Sequence, residues 1–387
     1  MFSRRVPFDL APNCITAARD AAAPPFDLTA SNPTACGIAY PTDLLDPLAD
    51  AAGLEYRPHP RGLESARCAA AGEYRRWGVE VDPERVVLTA STSEAYAFLF
   101  KLLAEPGDAV LVPSPSYPLF EHLARLEGVE VLPYHLNPEL GWRPDLDAIA
   151  SAPAGVRAIV VVHPNNPTGS FVHPGDAAAL ERLAAARGWA VIADEVFLDY
   201  PLAGGDGSGW SFAAAEDALT FALGGLSKSV GLPQLKLAWI AGSGPRPLLE
   251  AALARIEFIA DTFLSVGTPV QLALPALLRD GAPVRAAILE RCRDNLAELQ
   301  RAAAAVPEVS VRSPGGGWSA ALRVPAVVGE EELTLELLEE DGVAVHPGYF
   351  FDFPSAGTLV LSLLPEPAAF REGVDRLLAR VRTHLPG

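Results

Sequence analysis

Short apolar runs alternate with longer amphipathic segments between residues 82 and 200. The apolar runs predict strands at residues 85–89, 109–113, 129–134, 156–163 and 190–194, with another at 219–223. Between them, apolar residues at helical spacing predict helices at residues 93–104, 119–127 and 175–187. Strands that alternate with helices are typical of an α/β fold, with a mostly parallel sheet covered by helices on both faces.

The pattern changes on either side of this region. Residues 1–45 are proline-rich and predict an irregular arm, and short helices are expected near residues 43–52 and 63–77. A strand at 237–242 is expected at the sheet edge, antiparallel to its neighbour, and long helices at 247–259 and 283–306 follow it. The C-terminal part predicts strands at 309–312, 319–324, 343–346 and 358–363, with helices at 330–341 and 367–384. We therefore expect an arm at residues 1–45 that packs with the small domain, a large domain at 46–280 and a small α+β domain at 281–387.

Composition narrows the class of protein. Half of the 387 residues are hydrophobic, which is enough for a large core, and 48 acidic against 30 basic residues give a net charge of −18. Such a charge argues against nucleic acid or an anionic membrane as the main partner. No apolar run approaches the ~18 residues that a membrane helix needs. The first residues also lack the apolar region of a secretory signal.

The cysteines and histidines give no sign of a metal site. Cys14, Cys36, Cys68 and Cys292 lie far apart without a C-x-x-C pair, and the seven histidines are scattered. Neither zinc nor a disulfide framework is indicated, so we expect reduced thiols in a cytoplasmic protein. The glycines from Gly205 to Gly209 do not stand between a strand and a helix, which argues against a dinucleotide-binding motif.

One lysine is placed where chemistry is expected. Lys101, Lys228 and Lys236 are the three lysines among 30 basic residues. A lysine can lose its proton and attack a carbonyl, whereas arginine stays protonated. Lys228 follows the apolar run at 219–223 and lies among glycines and serines. It is either a Schiff-base lysine or a loop lysine with turn-forming neighbours.

Three other polar clusters also follow predicted strands. Thr89 to Ala95 contains hydroxyl residues before a helix, which suits either an anion site or an ordinary N-cap. His163 to Gly169 is either a structural turn or a set of amides for a polar ring substituent. Asp194 ends a buried strand and requires a hydrogen bond or a cation, such as a protonated pyridine nitrogen.

Together these motifs resemble a known family. In chain order they are Ser91-Thr92-Ser93, Pro115-Ser116-Tyr117, Asn165-Asn166-Pro167-Thr168-Gly169, Asp194-Glu195, Ser227-Lys228 and Gly231 to Lys236. Their order and spacing, over residues 28–378, resemble those of the class I/II aminotransferases, which are aspartate-aminotransferase-like enzymes. The resemblance implies pyridoxal 5'-phosphate (PLP) as cofactor. It also implies PLP fold type I: a large domain with a mostly parallel sheet covered by helices, and a smaller α+β domain built from the C-terminal part and the N-terminal arm.

The resemblance also implies a role for individual residues. Lys228 forms the Schiff base with PLP and moves the substrate proton, and Asp194 keeps the pyridine nitrogen protonated. Asn166 donates to the ring oxygen and Tyr117 stacks on the ring. The phosphate is bound by Ser91, Thr92, Ser93 and Ser227. Tyr56 resembles the family tyrosine that reaches the phosphate of the neighbouring subunit, which implies a homodimer.

Three positions depart from the family pattern. Phe197 stands where the family usually has a tyrosine that donates to the ring oxygen. Lys236 replaces the phosphate-binding arginine and supplies a point charge without the bidentate fork. Val360 stands where an arginine usually grips the substrate α-carboxylate, which leaves Arg323, Arg371 or another arginine as candidates.

Aromatic residues in the C-terminal part have two interpretations. Core packing suits most of Trp318, Tyr349, Phe350, Phe351 and Phe353, but Trp318 or Tyr349 could shape a side-chain pocket. The expected activity is transfer of an amino group between an amino acid and a 2-oxo acid. The alternatives are a C–S β-lyase or specialised biosynthetic enzyme on the same scaffold, and a non-catalytic PLP sensor domain.

Overall fold

The computed structural model describes residues 2–202 and 208–385. The glycine run at 205–209 therefore lies partly outside the described residues. The α-helices are α1 (Cys14–Ala22), α2 (Glu64–Glu73), α3 (Thr92–Leu103), α4 (Leu119–Glu127), α5 (Leu146–Ala150), α6 (Pro174–Arg187), α7 (Leu226–Ser229), α8 (Arg246–Phe263), α9 (Thr268–Asp280), α10 (Ala282–Ala303), α11 (Glu330–Glu339) and α12 (Pro367–Thr383).

The strands form one large sheet and two small ones. They are β1 (Phe26–Asp27), β2 (Val86–Thr89), β3 (Ala109–Ser114), β4 (Glu130–Asn137), β5 (Arg143–Pro144), β6 (Val156–Val162), β7 (Ala190–Asp194), β8 (Thr220–Gly225), β9 (Ala238–Ser243), β10 (Ser310–Arg312), β11 (Ser319–Arg323), β12 (Val343–Ala344), β13 (His346–Pro347) and β14 (Thr358–Ser362).

The large sheet has eight strands in the order β2-β9-β8-β7-β6-β3-β4-β5. The pairs from β8 through β7, β6 and β3 to β4 are all parallel. β9 runs antiparallel to both β8 and β2, and β5 runs antiparallel to β4. The expected α/β class with a mostly parallel sheet is thus confirmed.

The edge position expected for residues 237–242 is wrong. β9 lies between β8 and β2, so β2 forms that end of the sheet. All six residues of β9 are buried, as expected for an inner strand covered on both faces. Its antiparallel direction was expected and is observed.

Helices cover both faces of the large sheet because its strands are apolar on both sides. In β6, Val160 packs into a cluster with α3, α4 and α8, while its neighbours Ile159 and Val161 pack on the opposite face with α5 and α6. Side chains alternate between the two faces along a strand, so a strand that is apolar at every position must be covered on both faces.

The small sheet has the order β10-β11-β14-β13, and all its pairs are antiparallel. Its apolar face and the helices α10, α11 and α12 share one hydrophobic cluster. The N-terminal arm joins this part of the fold, because Phe26 and Asp27 of β1 pair in parallel with β12. The arm and the C-terminal part therefore build the smaller domain together.

Several helices differ from the sequence expectations. The arm contains α1, whose N-cap Asn13 accepts a hydrogen bond from the Thr16 N–H. Helix α9 was not predicted, because its prolines resemble turn signals. Pro269 lies in the first turn of this helix, and Pro275 lies inside it. The helix expected near 43–52 is instead two short 3₁₀ turns, Asp46–Ala49 and Ala51–Leu54.

Across residues 2–202 and 208–385, no helix combines the length and the apolar character needed to cross a membrane. All four cysteines are free thiols. Within the same ranges, no group of three or more histidine, cysteine or acidic residues is placed to hold a metal ion.

Candidate active site

Three neighbouring strands bring their loops together at one edge of the large sheet. Thr89, the last residue of β2, pairs with Ala238 at the start of β9, and Ala238 pairs with Gly225 at the end of β8. The segments after β2 and β8 and the segment before β9 therefore meet. This is the carboxyl edge of the parallel strands, where doubly wound sheets bind their ligands.

Lys228 lies on the short helix α7, directly after β8. Its Nζ is 4.6 Å from the ring centre of Trp318 and 5.4 Å from that of Phe197. The two aromatic rings pack edge to face, with their centres 5.3 Å apart. The Tyr200 hydroxyl donates to the carbonyl oxygen of Lys228 and so fixes the backbone of this turn. The amine is thus held in an apolar setting by its neighbours.

The same setting changes the acidity of the amine. Burial lowers the pKa of Lys228 to about 8, and the nearby carboxylate of Asp194 opposes this shift in part. A buried ammonium group loses its hydration, so the neutral amine is favoured. At pH 7, roughly one-tenth of Lys228 is then in the neutral form that serves as a nucleophile or base, far more than for an ordinary lysine.

Asp194 ends β7, the strand beside β8. Its Oδ2 accepts a hydrogen bond of 3.0 Å from the Tyr96 hydroxyl, and its Oδ1 accepts one of 3.2 Å from the Val196 N–H. Burial raises the pKa of Asp194, and these two hydrogen bonds and the charge of Lys228 oppose that shift. A cation bound against this carboxylate would favour its charged form.

Asn166 and Tyr117 come from the two strands on the other side of β7. Asn166 follows β6, and its Oδ1 accepts a hydrogen bond of 3.3 Å from the Ser319 hydroxyl of β11. Tyr117 follows β3 and is 45% exposed. The pKa of its hydroxyl is raised by burial and by Asp194, which places the two residues near each other.

The loop that carries Asn166 is held by its neighbour Asn165. The Asn165 amide donates to the Pro115 carbonyl at 3.0 Å and to the Thr168 hydroxyl at 2.8 Å. Its side-chain oxygen accepts from the Ser116 hydroxyl at 3.1 Å. The segments around Tyr117 and Asn166 are therefore fixed to each other by buried polar contacts.

The hydroxyl cluster after β2 forms the start of α3. Ser91 is the N-cap, and its Oγ accepts a hydrogen bond of 3.1 Å from the Glu94 N–H. The Glu94 carboxylate in turn accepts a hydrogen bond of 2.7 Å from the N–H of Ala90, the residue before the N-cap, so the contact resembles a capping box shifted by one residue. Thr92 and Ser93 lie in the first turn, beside the free N–H groups that favour an anion.

Ser227 and Lys236 lie on the segments that flank this helix start. Ser227 is half-buried beside Lys228, and Lys236 is exposed two residues before β9. Lys236 has φ of 51°, a left-handed conformation that is uncommon for a residue other than glycine. Both residues lie near the sheet edge that Thr89 and Gly225 share.

Tyr56 is the remaining predicted site residue. It lies in the loop between the 3₁₀ turn Ala51–Leu54 and α2, and it is 77% exposed. The predicted contact with a neighbouring subunit stays a prediction.

The position of the missing arginine lies on the small sheet. Val360 is 2% exposed in β14, between Ala321 of β11 and His346 of β13. Arg371 forms an ion pair with Glu298 at 3.2 Å on the exposed side of α12, so it does not reach the cluster.

Two residues that contribute to the site, Tyr96 and Ser319, were not predicted from the sequence. Tyr96 holds Asp194, and its place four residues after Thr92 on α3 is a signal that could have found it. Ser319 reaches Asn166 across the domains, and no local pattern indicates such a contact.

The donor set fits PLP. The Asp194 carboxylate suits a protonated ring nitrogen, the Lys228 amine of lowered pKa is near it, and a helix N-terminus with hydroxyls suits a phosphate. Tyr117 offers a partly exposed ring for stacking. Phe197 supplies an apolar ring without a hydroxyl.

Comparisons with known proteins agree with the geometry. The family model for aminotransferase class I and II matches residues 42–377. Glutamate-pyruvate aminotransferase AlaA of Haemophilus influenzae is 26% identical over 90% of this chain and 89% of that protein. Aspartate/prephenate aminotransferase of Thermus thermophilus is 30% identical over 84% of this chain and 83% of its own length.

A solved structure shows the same fold. Alanine aminotransferase from Pyrococcus furiosus superposes with a TM-score of 0.84 at 25% identity, over 96% of this chain and 100% of the other. PLP fold type I, with its large domain and smaller α+β domain, is confirmed. The chain belongs to the class I and II aminotransferase family, and it is a PLP-dependent aminotransferase.

Proposed function

We propose that the loops around Lys228 form the active site of this PLP-dependent aminotransferase, which acts on an amino acid and a 2-oxo acid. The observation that carries the proposal is the position of the Lys228 amine, beside two aromatic rings and close enough to Asp194 for each charge to shift the pKa of the other group. The names of the two relatives that match over more than four-fifths of this chain, glutamate-pyruvate aminotransferase AlaA and aspartate/prephenate aminotransferase, favour transamination over β-elimination and over a sensor domain.

Bound PLP supplies an aldehyde that takes up the amino group and a pyridinium ring that accepts electrons. The neutral Lys228 amine would be the nucleophile toward that aldehyde, and the free amine would be the general base for the proton on the substrate Cα. A pKa of about 8 lets it both accept and return the proton near neutral pH. Asp194 holds the ring nitrogen in its protonated form, and Tyr96 fixes the orientation of Asp194.

The remaining residues orient the cofactor. Asn166 donates to the ring oxygen and Tyr117 covers one ring face. The N-terminus of α3 would hold the phosphate, because its N–H groups and the helix dipole favour negative charge. Its further donors are hydroxyls and an ammonium group, from Ser91, Thr92, Ser93, Ser227 and Lys236. The Ser91 hydroxyl already caps the helix, so its contribution is mainly to fix the first turn.

We further propose a homodimer. Tyr56 is 77% exposed and does not contribute to the cluster of its own chain, which supports a contact with the phosphate of a neighbouring subunit. Sedimentation of the holoenzyme, together with the PLP affinity of a Tyr56→Phe variant, tests this assignment. Retained dimer and weakened PLP binding are expected.

The domain boundaries and the compartment are also inferred. We place the arm at residues 1–45, the large domain at 46–280 and the small domain at 281–387, near the start of α10. The four free cysteines support a reducing compartment, the cytoplasm.

A single-turnover experiment tests the activity. The PLP-bound protein is mixed with a panel of amino acids in the absence of an acceptor, and the cofactor spectrum and products are followed. Transamination gives one equivalent of 2-oxo acid per site and the pyridoxamine form of the cofactor. Catalytic release of ammonia with the aldehyde form retained would instead indicate elimination. Stable binding without turnover would indicate a sensor domain.

The lysine assignment has its own control. In Lys228→Ala, the visible absorption band of covalently bound PLP should disappear. If that band persists unchanged, another amine holds the cofactor.

A further inference from the structure

The turn that carries Lys228 is short and flanked by glycines. Helix α7 has four residues, Leu226–Ser229, with Gly224 and Gly225 before it and Gly231 soon after it. A helix of this length is marginal by itself, and its last carbonyl groups have no partners within the helix. Contacts from other segments must therefore hold this turn, and with it the Lys228 amine.

Two buried side chains donate to neighbouring carbonyl groups of the turn. The Tyr200 hydroxyl, from the segment after β7, donates to the Lys228 carbonyl. The Nε of Arg285, on α10, donates to the Ser229 carbonyl at 2.7 Å. The backbone that carries the amine is thus held from two sides, by segments that lie far from it in the sequence.

Two glycines let α10 pack closely on the same turn. A Cβ atom on Gly231 would lie 2.8 Å from the Tyr40 hydroxyl and 2.9 Å from Ile288 of α10. A Cβ atom on Gly281, at the start of α10, would lie 2.8 Å from the Val230 side chain. These distances are well below the optimal carbon–carbon separation of about 3.5–4.0 Å. The start of α10 therefore packs directly against the lysine turn.

Acidic residues hold Arg285 in this position. Its Nη2 donates to the Glu73 carboxylate of α2 at 2.8 Å, and its Nε lies 3.6 Å from the carboxylate of Asp199. The side chains of Arg285 and Asp199 are 13% and 8% exposed. Because the charge of the guanidinium is balanced, it can be buried, and its hydrogen bond to the Ser229 carbonyl is charge-assisted.

Arg76 belongs to the same charged network but does not hold the turn. Its Nη2 lies 2.7 Å from the Glu73 carboxylate and 2.7 Å from that of Asp199. In the part of the chain that the structure describes, no hydrogen bond or ion pair joins Arg76 to residues 226–231. Arg76 therefore shares the ion-pair partners of Arg285 without the carbonyl contact, which makes it a matched control.

We propose that Arg285 and Tyr200 are positioning residues for the Lys228 amine. They hold the carbonyl groups of residues 228 and 229, so the amine keeps its place when it is free of the cofactor and must meet the substrate proton. Because Arg285 lies on α10, where we place the start of the small domain, the place of the amine also depends on how this helix packs. This inference rests on the proposed function, in which Lys228 moves that proton.

The first test uses cofactor-free protein and PLP itself. Arg285→Met keeps the length of the side chain without its donors. It should lower the limiting rate of PLP binding at high pH by about tenfold, because a misplaced amine meets the aldehyde in the wrong geometry. The pH midpoint of that rate should stay at about 8, since burial and Asp194 control the pKa of Lys228. Arg76→Met should change neither the limiting rate nor the midpoint.

The second test follows proton transfer in the holoenzyme. The amino acid that converts the wild-type cofactor fastest is used with hydrogen or deuterium at Cα. In Arg285→Met the conversion rate should fall by about tenfold or more and the isotope effect should rise, while the half-saturating concentration of the amino acid stays the same. Arg285→Lys keeps a charged donor and should restore part of the rate.

Tyr200→Phe tests the second contact with the smallest possible change. It removes one hydroxyl and keeps the ring that packs against Trp318. Both rates should fall as in Arg285→Met but by a smaller factor, because the Lys228 carbonyl also accepts from two backbone N–H groups.

The outcomes separate this inference from the proposed function. Equal losses in Arg285→Met and Arg76→Met would assign the effect to the ion pairs and overturn the positioning role. A midpoint that moves toward 10.5 with an unchanged limiting rate would also overturn it, because the variant would then only expose the amine to water. If Arg285→Met does not fold, unchanged rates in both Arg285→Lys and Tyr200→Phe overturn the inference. If no amino acid converts the wild-type cofactor, the proposed function fails and the positioning role with it.

Discussion

The indole ring of Trp318, from the small-domain side, lies 4.6 Å from the Lys228 Nζ on the large sheet. Trp318 is 2% exposed and also packs against Phe197 and Tyr200, with ring centres 5.3 Å and 5.1 Å away. The small domain thus supplies part of the apolar enclosure of the amine. That enclosure lowers the pKa of Lys228, because water that would solvate the ammonium form is excluded.

The first prediction concerns the pH dependence of aldehyde capture. In cofactor-free protein, the rate of PLP binding to Lys228 should rise with pH, reach half of its maximum near pH 8 and level off about one pH unit higher, since only the neutral amine attacks. An ordinary lysine would give a midpoint near 10.5. Stopped-flow absorbance of cofactor-free protein mixed with PLP measures this midpoint.

Variants test whether each neighbour raises or lowers the pKa of Lys228. Trp318→Leu admits water and should raise the midpoint toward 10.5, whereas Trp77→Leu, on the 3₁₀ turn after α2, should not move it. Asp194→Asn removes the charge that favours the ammonium form and should lower the midpoint below 8. A midpoint that stays the same in Trp318→Leu would show that the ring does not control the amine.

The second prediction concerns Phe197. Phe197→Tyr places a hydroxyl beside Lys228, where the family commonly has one that donates to the cofactor ring oxygen. A hydrogen bond to the anionic oxygen should lower the pH at which the visible band of bound PLP changes, by about one pH unit for a bond of about 1.4 kcal/mol. A spectral pH titration of the holoenzyme measures the shift.

Phe197→Leu is the matched control for this substitution. It removes the ring without adding a donor, so the spectral midpoint should not fall. If the tyrosine hydroxyl does not reach the cofactor, it is instead buried without a partner, and the variant should lose about 1–3 kcal/mol of stability with no spectral change. That result would contradict the placement of Phe197 beside the ring oxygen.

The third prediction separates two neighbouring serines. Ser91 caps α3 through its bond to the Glu94 N–H, whereas Ser93 lies inside the first turn. Ser91→Ala should therefore lower the free energy of unfolding of the cofactor-free protein by about 1 kcal/mol. Ser93→Ala should leave that stability nearly unchanged and weaken PLP binding by removing a phosphate donor.

Urea unfolding of the cofactor-free protein and equilibrium PLP titration measure the two effects separately. Equal changes in stability for the two variants would mean that the capping contact does not operate in solution. Unchanged PLP affinity in Ser93→Ala would place the phosphate elsewhere than at the start of α3.

The positions of Asp194 and Lys228 could be predicted because each lies at the end of a buried strand or just after one. The apolar run 190–194 ends in Asp194, and the run before Lys228 ends in glycines, so both were assigned to the sheet edge. Contacts between the domains could not be predicted. Ser319 reaches Asn166 across 153 residues of sequence, and hydrophobic periodicity carries no information on such a pair.

Some predictions from the sequence were wrong, among them those for α9, β9 and Arg371. The prolines of α9 resemble turn signals, although Pro269 occupies the first turn of the helix and needs no hydrogen-bond donor there. The prediction that β9 lies at the edge of the sheet was wrong, because the burial pattern of a strand does not indicate which strands pair with it. Arg371 was a candidate for the substrate carboxylate until its ion pair with Glu298 placed it on the outside of α12.

The fourth prediction concerns Lys236 and the phosphate. Lys236 is exposed at the sheet edge near the start of α3, with unusual left-handed backbone geometry, so its ammonium group can approach a phosphate there as a point charge. Lys236→Gln should weaken PLP binding by about tenfold, since an ammonium–phosphate hydrogen bond is charge-assisted but partly screened by water. Pyridoxal, which has the aldehyde and ring but no phosphate, should bind the variant and the wild-type protein equally. Absorbance titrations with both ligands, at low and high salt, measure the difference. If binding of pyridoxal falls as much as binding of PLP, Lys236 acts on the backbone of the loop before β9 and not on the phosphate.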